Sequence, residues 1–267
     1  MPPDDVSDRR PRALVVVHEP YGGAAEVASR LVSRGIDVVA HQVTERIDRP
    51  DVAAPFPPLD GFDLVLPMGS VRSVVTREGI DSWIDEEIHL VGEAHERGIP
   101  VLGVCFGGQL LAAALGGSVE RAPVPEIGWY EIAAPTGVVN PVGPGPWLEW
   151  HYDRFEPPPD SEVLAVTEHA TQLFRVGSAV GTQFHPEVNL AHLETWIRLS
   201  DDTFFEQENL DREVMLAEAA ANEAANIDRC RHLVDWFLDD VAQLSLSASP
   251  ASSAAALSST SDAEFMQ

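Results

Sequence analysis

Pro100-Val101-Leu102-Gly103-Val104-Cys105-Phe106-Gly107-Gly108-Gln109-Leu110-Leu111-Ala112-Ala113-Ala114-Leu115-Gly116 is the stretch on which the reading turns. Its first five residues are apolar and free of charge, as in a strand buried on both faces of a parallel sheet. A helix-forming run follows Cys105 with only a glycine pair between them, so strand and helix meet in one sharp turn. The spacing Gly103-x-Cys105-x-Gly107 is that of a nucleophile elbow with cysteine in place of serine. Small residues are needed there because the backbones crowd. A helix N-terminus favours the thiolate, and its unpaired amides can stabilise an oxyanion. The bland reading, a small buried thiol, fits the same residues taken alone.

Outward from this stretch the pattern repeats. Arg12-Ala13-Leu14-Val15-Val16-Val17-His18 is a β-branched run ending in a Pro-Tyr-Gly-Gly turn, and a helix from Ala24 to Arg34 stops at Gly35. Residues 36–40 and 63–68 predict two more strands, with a proline-rich loop over 48–61 between them. Ile80, Trp83, Ile84, Ile88 and Val91 mark one helical face. Strands alternating with helices predict βαβ units and a mostly parallel sheet. From about 119 to 184 the pattern changes to strands and turns: Tyr130–Ala133, Val163–Val166, Gln172–Val176 and Ala179–Phe184. These predict antiparallel additions at the sheet edge. Residues 189–200 and about 206–241 read as helices, the second buried through Ile227, Cys230, Val234, Phe237 and Leu238.

A second feature raises the catalytic reading of Cys105. In Gly181-Thr182-Gln183-Phe184-His185-Pro186-Glu187, the proline biases His185 toward extended backbone, so His185 and Glu187 share a face. A carboxylate there holds the imidazole's Nδ1–H and leaves Nε2 free as a base, the arrangement a cysteine nucleophile requires.

The pairing of the elbow with Gly-Thr-Gln-Phe-His-Pro-Glu-Val resembles the class I (triad) glutamine amidotransferases. Glu126-Ile127-Gly128-Trp129 resembles the branch that includes the amidotransferase domain of GMP synthase. The resemblance covers residues 13–190, and it implies a flavodoxin-like, mostly parallel sheet with helices on both faces. It implies that Cys105 attacks the γ-amide of glutamine or of another γ-glutamyl amide, with His185 and Glu187 completing a triad. It further implies Phe106 and Gly69 as oxyanion-hole residues and Gln109 as a substrate contact. Trp150-His151-Tyr152-Asp153 resembles the family's His-Gly-Asp-type loop, so Trp150, His151 and Tyr152 are expected at the substrate. Two positions depart from that pattern. Gly69-Ser70-Val71 stands where the branch reads Gly-Gly-Pro, which leaves the second oxyanion donor open, and Tyr152 replaces a small residue.

Other residues weigh less. His18 and Glu19 end the first strand on the expected rim and read as a solvated turn rather than substrate contacts. His151 and Asp153 read equally as an acid–base pair or as structure. His89 and His95 lie six apart on a helix, off one face, and are not expected to bind metal. Cys230 and Trp147 read as packing.

The chain has 267 residues, with 43 acidic against 17 basic side chains and a formal charge of −26; every basic residue is arginine. Lysine chemistry is excluded, and nucleic acid or an anionic membrane is not an expected partner. Two cysteines give no disulfide framework. No cofactor is expected. No leader or membrane-spanning run is read, which makes a cytoplasmic protein the expectation. The expected organisation is a disordered arm over 1–12, an amidotransferase domain over 13–200, an acidic helical extension over 201–242, and a disordered Ser/Ala tail over 243–267. No synthetase domain fits this length. The expected partners are therefore glutamine or a γ-glutamyl small molecule and, in one reading, a separate synthetase subunit receiving ammonia. A free-standing γ-glutamyl peptidase and a catalytically silent binding or redox-sensing protein are the alternatives.

Overall fold

The computed structural model describes residues 9–244. The parts of the N-terminal arm and Ser/Ala tail over 1–8 and 245–267 lie outside them. In chain order the elements are β1 (Arg12–Val17), α1 (Ala25–Ser33), β2 (Asp37–Gln42), β3 (Leu64–Pro67), α2 (Ile84–Glu96), β4 (Val101–Val104), α3 (Phe106–Ala114), β5 (Ser118–Tyr130), β6 (Trp147–Glu156), β7 (Glu162–Val166), β8 (Thr171–Val176), β9 (Ala179–Thr182), α4 (Leu190–Leu199), α5 (Asp202–Gln207) and α6 (Arg212–Trp236). A π-helical turn, Phe237–Val241, continues α6.

β1 explains the layering. Its side chains alternate, so Ala13, Val15 and Val17 pack on one face with Leu31 of α1 and Leu233 of α6. Leu14 and Val16 pack on the other with Val91 of α2 and Leu110 of α3. A strand with helices on both sides buries every residue, which is why the run carries no alternating polarity. The sheet order is β2-β1-β3-β4-β9-β8-β7. β2, β1, β3, β4 and β9 run parallel, and β8 and β7 add antiparallel at the edge. This is the α/β architecture the sequence predicted.

Three expectations are corrected. Tyr130–Ala133 is not a strand; β5 ends at Tyr130, and Ala133 makes only an isolated bridge to Val166. Trp150-His151-Tyr152-Asp153 is not a loop but the middle of β6, which pairs antiparallel with β5 in a separate two-stranded sheet. Pro123 and Pro125 sit where the β5–β6 register shifts, between Arg121 and Glu126, so the ladder accommodates them at an irregularity. The single helix read over 206–241 is divided. Asn209 takes a positive φ of 52°, and Asp211 then caps α6 through the Glu213 and Val214 amides. Cys230 and Trp147 are fully buried, Trp147 against Phe184, as read.

Candidate functional site

The β4–β9 register sets Val104 beside Thr182, so two neighbouring parallel strands end together at the carboxyl edge of the sheet. Such edges are where open α/β sheets bind ligands. The chain leaving β4 is Cys105, and the chain leaving β9 carries Gln183, His185 and Glu187. The Cys105 N–H donates to the Thr182 carbonyl at 2.8 Å. Cys105 itself has φ 51° and ψ −105°, a strained conformation for a residue with a side chain. The turn is tight enough that a Cβ on Gly103 would lie 2.5 Å from the Gly107 carbonyl oxygen, and one on Gly107 would overlap the Pro67 carbonyl. Glycine is required at both.

His185 Nδ1 lies 2.8 Å from Glu187 Oε1, and both side chains are buried. Burial opposes a charged imidazole here, but the charges of Glu187 and Cys105 outweigh it and hold the His185 pKa well above its ordinary value. The ring packs edge-on against Trp196. Gly69 closes the other side: a Cβ there would stand 2.8 Å from His185 Cε1 and 3.8 Å from Cys105 Cβ.

These residues line one cavity of about 390 Å³, within the range of small-molecule sites. Cys105, His185, Glu187, Phe106, Gly69, Gln109, Trp150, His151 and Tyr152 all border it. The nine residues expected at the site thus border one cavity. Gln109 donates to the Asp153 carbonyl at 3.0 Å. Trp150 stacks on Phe204 of α5, and Tyr152 donates to Glu208 at 2.6 Å, so the segment after residue 200 forms part of the wall.

Gln183 was missed. Its Nε2 lies 3.5 Å from Cys105 Sγ, within reach of the sulfur, and it is fully buried. Its place two residues before His185 in an extended segment carries the same face-sharing signal that identified Glu187.

His151 is not paired with the Asp153 carboxylate; only the Asp153 carbonyl reaches its Nδ1, at 3.1 Å. Its Nε2 lies 3.2 Å from Glu126 across the strand pair and 3.3 Å from Glu149 on its own strand. All three side chains are buried. Burial lifts the Glu149 carboxyl to about 7 against the pull of His151. Burial resists charge on His151 too, but the two carboxylates raise it to about 10.

His18 and Glu19 do not form a solvated turn. Both are buried, His18 against Glu87 of α2 and Glu19 against Ser70. The side chains that claim them come from loops and helices some fifty to seventy residues away, which no local pattern exposes. Among the described residues no group of three or more His, Cys, Asp or Glu side chains is disposed to hold a metal ion. No helix among them is long and apolar enough to cross a membrane.

An α/β sheet with a cysteine elbow beside a histidine–carboxylate pair defines a class, and comparison with known proteins gives the same one. The chain belongs to the class-I glutamine amidotransferases, whose family model matches residues 24–198. It is 34% identical over 196 residues to a glutamine-hydrolyzing GMP synthase of Aeropyrum pernix, across 65% of this chain and 38% of that protein. It is 29% identical over 199 residues to the glutamine amidotransferase-like protein YfeJ of Salmonella typhimurium, across 71% of this chain and 81% of that one. The chain spans less than half the length of the GMP synthases it matches. In fold it is similar to a glutamine amidotransferase of Thermotoga maritima, with a TM-score of 0.75 and 24% identity over 88% of this chain and all of the other.

Proposed function

We propose that this protein is a cysteine-dependent hydrolase of the γ-amide of glutamine or of a γ-glutamyl amide, working through a γ-glutamyl thioester. The observation that carries the reading is the strained Cys105 elbow, which shares its cavity with a His185 held by Glu187. The Cys105 sulfur attacks the γ-carbonyl carbon, an S–C bond forms, and the π pair moves onto oxygen. The Phe106 amide and the Gly69 loop receive that oxyanion. As the C–N bond breaks, His185 gives the leaving amine its proton. Water then loses a proton to His185, attacks the thioester and releases glutamate as the C–S bond breaks. Glu187 fixes the imidazole's tautomer throughout. Gln109, Trp150, His151 and Tyr152 contact the substrate.

Residues 13–200 form the catalytic unit and 201–242 its cover. The likeness to GMP synthases supports glutamine as substrate and a synthetase subunit as ammonia acceptor. The test is to incubate the chain with glutamine and with γ-glutamyl methylamide, measure ammonia and methylamine, and trap acyl-enzyme at Cys105 by mass spectrometry. Release of either amine, abolished in Cys105→Ala, is expected. An intact chain that releases neither and forms no thioester overturns the reading.

A further inference from the structure

The Gly69-Ser70-Val71 loop lacks the glycine and proline that its branch uses, yet two side chains grip it. His18 Nδ1 lies 3.0 Å from the Gly69 carbonyl oxygen. The Ser70 hydroxyl donates to Glu19 Oε1 at 2.6 Å and accepts the Arg72 N–H at 3.0 Å. The serine that looks like a defect is thus engaged, by Glu19 just past the end of β1.

His18 is held in its turn. Its Nε2 lies 3.0 and 3.1 Å from the two Glu87 oxygens, with both side chains fully buried. Its ring stacks on Trp83 and meets the Phe106 ring edge-on, centroids 4.8 Å apart. A carbonyl oxygen on one side and a carboxylate on the other leave the imidazole to donate from both nitrogens.

The consequence for the loop follows from peptide geometry. The Gly69 C=O and the Ser70 N–H belong to one planar trans peptide and point in opposite directions. With the carbonyl bound to His18, the N–H points away from His18, while the Gly69 Cα packs close to His185 and Cys105. Among the described residues neither the Ser70 nor the Phe106 N–H donates to another backbone group. Ser70 and Phe106 both line the cavity that holds Cys105.

We propose that His18, backed by Glu87 and assisted by Glu19, is the positioning residue that keeps the Gly69–Ser70 peptide turned so that the Ser70 N–H is the second oxyanion donor. This rests on the hydrolase reading above. Hydrogen bonds from the end of β1 do here what a Gly-Pro backbone does elsewhere in the branch. A peptide free to flip would present its carbonyl oxygen to the oxyanion instead.

Two substitutions separate this role from packing. Asparagine places an amide nitrogen near the position of Nδ1, whereas glutamine places one near Nε2. His18→Asn therefore keeps the donor to Gly69, and His18→Gln keeps only the contact with Glu87. The readouts are kcat and KM on the better γ-glutamyl substrate, together with the rate of Cys105 alkylation by iodoacetamide, a displacement that needs no oxyanion hole. Loss of one oxyanion donor costs about 100-fold or more in kcat. The expected result is that His18→Gln loses about that factor in kcat, with KM and alkylation within about threefold of wild type, while His18→Asn retains most of kcat. Equal losses in both variants, no loss in His18→Gln, or alkylation falling in step with kcat overturns the proposal. A wild-type chain with no turnover is separately visible before any variant is made, and it removes the hydrolase reading and this inference together.

Discussion

Cys105 occupies a backbone conformation that side chains avoid, and that cost is readable in stability. Its φ of 51° with ψ −105° is strained for any residue bearing a Cβ, by about 1–3 kcal/mol. Cys105→Gly relieves that strain, whereas Cys105→Ala keeps it. Glycine's greater unfolded-state entropy offsets part of the gain. The glycine variant is expected to be more stable than the alanine variant by about 1 kcal/mol in urea titrations, against the usual order of these two residues. The reverse order would mean the elbow is relaxed. At this scale the candidate site was legible because its signals are local: Cys105 lies between close-packed glycines, and His185 and Glu187 are two apart in an extended segment. His18 was not legible. Its role depends on Glu87 and Gly69, 69 and 51 positions away, and a histidine after a strand carries no mark of either.

The strand pair β5–β6 buries His151 against Glu126 and Glu149, and two of these groups, Glu149 and His151, tie stability to pH. Glu149 holds its proton more tightly folded, near 7 against an unfolded value of 4.5. Its contribution is present at low pH and is lost as pH rises from 4.5 through about 7. His151, near 10 against 6.5, contributes fully below 6.5 and loses that contribution as pH rises through 10. His18, raised to about 9 as the charge of Glu87 outweighs burial, behaves in the same sense. The Tm is therefore expected to fall from pH 7 to pH 10, beyond the fall between pH 5 and 7. In Glu149→Gln the slope between pH 5 and 7 should flatten while the alkaline slope persists. An unchanged slope between pH 5 and 7 would show that Glu149 is charged throughout that range.

The same element marks where sequence reasoning fell short. Parallel strands such as β1 announce themselves by unbroken apolar runs. In β5, Pro123 and Pro125 break the strand signal, and in β6 the alternation of buried His151 and Asp153 with less buried Trp150 and Tyr152 was masked by likeness to a loop.

For the whole molecule, charge is the dominant feature. Residues 201–267 hold 14 acidic and 3 basic side chains, within a chain of net charge −26. The acidity of α6 does not all face outward: Asp235 binds Arg30 at 2.6 Å and Arg34 at 2.5 Å, and Asp239 binds Arg34, fastening the helix to α1. These pairs are partly exposed and worth about 1 kcal/mol or less each. Self-repulsion among the unpaired carboxylates acts over the whole surface and is screened within about 10 Å at 0.1 M salt. Raising NaCl from about 0.02 to about 0.5 M is therefore expected to raise the Tm at pH 7.5, although it weakens the α1–α6 pairs. A Tm that falls with salt would give those pairs the larger share.

The wall built by Phe204 against Trp150, and by Glu208 against Tyr152, lies beyond residue 198, where the match to the family ends. The cavity is lined both by residues within the family match, such as Cys105 and Trp150, and by Phe204 beyond it. A chain cut after residue 200 keeps the elbow and the histidine but leaves the Trp150 ring without its stacking partner. Any picture of the cavity drawn from the matched stretch alone omits the side on which Phe204 stands.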